Sequence, residues 1–155
     1  MTTGRLEAPV LVVGVGNELF GDDAIGPFVA RIVASWRRPQ VTTLVVGQLL
    51  PELASDLGRF RSAIFVDAAH GPPTSEAALA PLAANAQPPS LLHGLTPQAL
   101  LGLGEILGDV VPAAWLLPVP GERFDLRDAL SDTAHRGIDL ALAVLARLLP
   151  AERCL

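Results

Sequence analysis

The stretch PVLVVGVG at residues 9–16 decides the fold. It is continuously apolar, rich in β-branched residues, and closed by glycine. That pattern predicts a strand buried on both faces, as strands are inside a parallel sheet covered by helices. Residues 17–23, NELFGDD, then read as a turn-rich loop. From Ala24 to Trp36 the apolar residues Ile25, Phe28, Val29, Ile32 and Val33 recur at helical spacing, with Pro27 in the tolerated first turn. Either Asp22 or Asp23 is placed to cap this helix.

Outward from this unit the alternation continues. Val41–Val46 read as a second strand, Pro51–Phe60 as a short helix, and Ala63–Val66 as a third strand ended by Asp67. Residues 71–89 are irregular and rich in Pro and Ala, with one short strand expected near 78–82. Thr96 caps a predicted helix that runs from Pro97 to Leu107 and stops at Gly108. Ala114–Val119 form a further strand, and residues 120–126 a loop. The last helix, 131–149, carries Ile138, Leu142, Leu145 and Leu149 on one face. Strands alternating with helices predict an α/β fold with a mostly parallel sheet covered on both sides. With no repeat and no linker, residues 1–155 are expected to form one domain.

Composition removes several functions. The net charge is −5 and no basic block is present, which sets nucleic-acid binding aside. Every basic residue is Arg, so no Walker-A lysine, Schiff-base lysine or Ser-Lys dyad exists. Tyrosine and a G-x-S-x-G elbow are missing too. The single cysteine, Cys154, forbids an internal disulfide or a cysteine-rich zinc site and is consistent with the cytoplasm. The apolar run Val10–Val13 is too short for a signal-peptide core, and no run approaches the roughly 20 residues of a membrane span. No membrane association is expected. G-V-G-N lacks the third glycine of a dinucleotide loop, and Gly47-Gln48 stand where an acid would follow the second strand, so a nicotinamide cofactor is not expected.

Carboxylates and three histidines remain, suited to metal binding or to acid–base work on water. Ligands of open α/β sheets gather outside the carboxyl ends of the strands. Asp22 and Asp23 follow the first strand, Asp67 ends the third, His70 lies three residues later, and His93 precedes the Thr96 helix. Two carboxylates and an imidazole on one rim suit Zn, Ni or a similar ion. His70 and His135 are expected at the surface or in capping roles.

The stretch 13–26, VGVGNELFGDDAIG, resembles the N-terminal signature of the nickel hydrogenase maturation endopeptidases: strand, G-x-G-N, apolar loop, acidic pair, and glycine. IFVDA at 64–68 is similar to that family's strand ending in Asp-Ala. HGLTPQALL at 93–101 is similar to its histidine loop and following helix, and Leu130-Ser131 before the last helix also fits. The resemblance implies a three-layer α/β/α sandwich with a twisted five-stranded sheet, one strand antiparallel. It implies an endopeptidase that removes a C-terminal extension from the nickel-loaded large subunit of a nickel–iron hydrogenase. The metal-contacting positions carry over to Asp23, Asp67 and His93, with Asp67 and Asp23 catalytic. Asn17 and Asp22 are expected as loop-shaping groups. Nickel would come with the precursor, and no organic cofactor is implied. Some members have Glu at the position of Asp23, some an Asp-Gly-Gly segment where this chain has Gly47-Gln48-Leu49, and some a histidine nearer Gln98. Two other readings stand beside this one: a non-catalytic metal-dependent chaperone on the same scaffold, and a small-molecule hydrolase with a permanently bound metal.

Overall fold

The computed structural model describes residues 4–85 and 94–151. Five strands, β1 (Val10–Val15), β2 (Val41–Val46), β3 (Ser62–His70), β4 (Ala80–Leu82) and β5 (Ala113–Gly121), form one sheet in the order β2-β1-β3-β5-β4. β1 pairs in parallel with β2 and β3, and β3 with β5, whereas β4 runs antiparallel along β5. The continuous apolar run at Val10–Val13 therefore lies inside the sheet, as its two-sided hydrophobicity requires.

Alternate strand residues feed two cores. Val10, Val12, Ile64 and Val66 face α1 (Ile25–Ser35) and α4 (Asp132–Leu148), meeting Val29, Val33, Ile138 and Leu145. Leu11, Val13, Ala63 and Phe65 face α2 (Leu53–Leu57) and α3 (Pro97–Ile106), meeting Leu57, Leu100 and Leu101. Helices on both faces of the sheet make the three-layer sandwich. Thr96 caps α3 by accepting the Ala99 amide at 3.1 Å.

Two local expectations change. Neither Asp22 nor Asp23 caps α1. The chain enters that helix through a 3₁₀ turn, Gly21–Ala24, and the residue before α1 is Ala24, which has no side-chain acceptor. Asp67 does not end its strand. β5 runs alongside β3 as far as the pair His70–Gly121, so pairing continues three residues past Asp67, which itself pairs with Pro118.

α1 rides directly on the sheet. A Cβ at Gly26 would lie 2.4 Å from the Val15 carbonyl oxygen and 2.5 Å from that of Val66. Rigid backbone cannot yield to that overlap. Gly26→Ala is therefore expected to lower stability by about 3 kcal/mol, through overpacking. Urea unfolding checks this, and a coincident midpoint would contradict the close helix–sheet contact.

Candidate active site

β1 is the strand at which the connections reverse direction, since its neighbours are β2 on one side and β3 on the other. A crevice opens at such a reversal outside the carboxyl ends of the strands. Val15, the last residue of β1, pairs with Asp67, and there the chain leaves β1 for the loop that holds Asn17, Asp22 and Asp23.

This loop is built to a shape. A Cβ at Gly16 would fall 1.9 Å from the Asp23 carbonyl oxygen, so only glycine lets the end of β1 abut the Asp23 backbone. The Asn17 amide donates to Asp23 Oδ2 at 2.6 Å, and the Asn17 side chain accepts the Leu19 amide at 3.0 Å. The side chain thus closes a local turn while the backbone fixes the carboxylate.

Asp22 is fully buried and ties together parts of the chain distant in sequence. Its Oδ2 accepts the amides of Glu122 and Arg123 at 2.7 and 3.0 Å and the Ser131 hydroxyl at 2.6 Å, while Oδ1 accepts the Ser131 amide at 2.8 Å. Burial opposes its charge, but these hydrogen bonds outweigh burial and hold the carboxyl below its ordinary value. The Ser131 hydroxyl also accepts the Ala134 amide at 3.1 Å, capping α4. Asp22 therefore clips the β1–α1 loop, the β5–α4 loop and the start of α4 into one unit. Ser131 and the amides of residues 122 and 123 were not anticipated as partners. The one sequence signal was Ser131 standing at a helix start.

Asp67 is half-buried, and its carboxyl is pushed up to about 6. Desolvation is the main cause and the charge of Asp23 the second, with the Ala68 amide partly offsetting both. Asp23 and Asp67 thus come together as two carboxylates that repel each other. Such a pair attracts a cation, and a carboxyl that titrates near neutrality is suited to exchanging protons with water.

The histidines separate. His70, the last residue of β3, lies an odd number of positions from Asp67, so strand alternation points the two to opposite faces. Its ring stacks on Phe124, centroids 4.0 Å apart, on the side of α4. His135 is exposed near the start of α4. His93 lies outside the described residues. Among the described residues no group of three or more His, Cys, Asp or Glu side chains is placed to hold a metal ion. Two carboxylates are oxygen donors of the kind that hard or borderline cations take.

No family model matches the sequence, and no curated protein does. Solved structures match well. The [NiFe] hydrogenase maturation protease HycI from Thermococcus kodakarensis superposes with a TM-score of 0.66 at 22% identity, covering 90% of this chain and 91% of that one. The hydrogenase maturating endopeptidase HybD from E. coli gives 0.62 at 25% identity, over 88% and 90% of the two chains. The hydrogenase 2 maturation peptidase from a Thaumarchaeota archaeon gives 0.63 at 25% identity, over 88% and 96%. The first likeness establishes the fold, and the other two add sequence similarity at the same extent.

Proposed function

We infer that this chain is a hydrogenase maturation endopeptidase, one that removes the C-terminal extension from the large subunit of a nickel–iron hydrogenase. The observation that carries this is the Asp23–Asp67 pair at the reversal point of a sheet shared, over about nine-tenths of the chain, with proteins that do such work. Asp67 supplies an acid–base group that a non-catalytic chaperone does not need.

In this reading Asp67 takes a proton from the water that attacks the scissile carbonyl and returns it to the leaving amine. Asp23 and His93 grip nickel already seated in the precursor. α3, which follows His93 in the chain, packs on the sheet face that Asp67 shares with Ala63 and Phe65, which favours His93 as the third group. Tight structural metal sites have four ligands and favour Cys and His. Two carboxylates and one imidazole leave coordination positions open, so the ion belongs to the substrate and reports whether the precursor has been loaded. The cytoplasm is the compartment this implies. Among the described residues no helix is long and apolar enough to cross a membrane.

The test is to incubate purified protein with precursor, with and without nickel, and to follow release of the C-terminal peptide by mass. Cleavage is expected only of the loaded precursor. Equal processing of metal-free precursor by metal-stripped protein would refute nickel dependence.

A further inference from the structure

The described surface exposes eight large hydrophobic side chains. Four of them, Leu19 (62% exposed), Phe20 (39%), Leu50 (51%) and Leu126 (59%), stand on the loops that leave the carboxyl ends of β1, β2 and β5, the edge that holds Asp23 and Asp67. Exposed apolar side chains gathered at one edge mark a protein-contact surface.

Two of these loops are physically joined. The Arg127 amide donates to the Leu19 carbonyl at 2.7 Å, and the Asp22 amide to that of Arg123 at 2.6 Å. Arg127 holds a φ of 64°, a conformation that costs a non-glycine residue on the order of 1 kcal/mol. The joined loops keep Leu126 exposed between two arginines. Arg123 and Arg127 are exposed, and among the described residues neither has a carboxylate within 4.0 Å. Of the acids in the same loop, Glu122 is engaged by the Thr133 hydroxyl and Asp128 accepts the Asp125 amide at 3.2 Å. Residues 122–128 carry three carboxylates and two guanidiniums, and since neither guanidinium is ion-paired among the described residues, both are open to acids of a partner beside the exposed Leu126.

We propose that the loop Glu122–Asp128, joined to Leu19 and Phe20, is the rim on which the folded precursor docks, and that it grips an apolar patch bordered by carboxylates. This rests on the endopeptidase reading for the partner's identity. Leu126, Leu19 and Phe20 provide the apolar contact, and Arg123 and Arg127 pair with the partner's acids and set its orientation over the Asp23–Asp67 pair.

The experiment measures binding of the nickel-loaded precursor to the full chain carrying Asp67→Asn, so that cleavage does not intervene. Adding Arg123→Glu with Arg127→Glu, or Leu126→Asp alone, is expected to weaken binding by roughly tenfold or more. Arg123→Lys with Arg127→Lys should keep most of the affinity. Raised salt should weaken the starting protein more than the double Glu variant. Unchanged affinity in both disruptive variants would overturn the proposal. So would a failure of the starting protein to bind precursor, or the finding that Leu126→Asp only dissolves a dimer of this chain. If precursor binds through the rim yet protein with Asp67 intact never cleaves it, the docking surface stands and the endopeptidase reading falls.

Discussion

Asp67→Asn protein is expected to lose nearly all processing of precursor and yet to be more stable than the parent at pH 7.5. The two results have one cause. The Asp67 carboxyl titrates at about 6, because burial and the neighbouring Asp23 both disfavour its charge. A carboxyl raised in the folded state contributes its full stability below the ordinary unfolded value, near 3.9, and loses that contribution as pH rises through about 6. At pH 7.5 the folded protein therefore carries an unfavourable charge. By linkage its cost is up to about 3 kcal/mol, less what water recovers at a half-buried position. Asparagine keeps the shape and removes the charge. The variant also loses the group that takes the proton from water, so cleavage should fall by a factor of about 100 or more. Denaturant unfolding at pH 5 and pH 7.5, alongside the cleavage assay, checks both halves. The stability gain should be larger at pH 7.5. Full activity in the variant would remove Asp67 from the chemistry, and a gain of equal size at both pH values would remove charge as the cause of the strain.

Asp22→Ala is expected to lower stability by about 3–5 kcal/mol, the range for stripping one partner from a buried charge network. The loss leaves the amides of Glu122, Arg123 and Ser131 and the Ser131 hydroxyl without their acceptor in a site closed to water. Against a total of about 5–15 kcal/mol, this brings the protein close to unfolding. Asp22→Asn keeps one acceptor oxygen and should cost less. The pH dependence has the opposite sign to that of Asp67. Asp22 is held below the ordinary carboxylate value, so its contribution is present above that value and is lost as pH falls through its own lower pKa. Urea titrations of parent and variant at pH 7 and pH 3 test this. The gap should narrow at the lower pH, and a gap below about 1 kcal/mol at pH 7 would contradict the clip.

How far the sequence carried these conclusions depends on the range of the interaction. The Val10–Val13 run showed its place inside the sheet because burial on both faces leaves a local mark. Thr96 and Ser131 were legible at helix starts for the same reason: a cap reaches only three residues along the chain. The extent of β3 was not legible, because it is set by how far β5 runs alongside it. The short strand expected near 78–82 is β4, Ala80–Leu82, at an edge of the sheet, but its antiparallel direction came from family resemblance, since three residues carry no mark of direction. Asp23 and Asp67 were recognisable as chemistry because carboxylates after buried strands are conspicuous. The position of Asp22 on the loop was visible, but its partners were not, as no local pattern marks a contact across 109 positions. The histidine assignment rests on His93, outside the described residues.

That same span sets an order of events during synthesis. The ribosome releases β1 and the Asn17–Asp23 loop early, but the groups that receive the Asp22 carboxylate emerge only once residues 122–131 have been made. Until then the Asn17–Asp23 turn has only its own local hydrogen bonds, and nothing clips it to the loop after β5 and the start of α4. Domains fold as units whose long-range contacts close last. A nascent or truncated chain that stops before Ser131 would therefore contain both carboxylates without that clip, so that the locked site would arrive only with the start of the final helix.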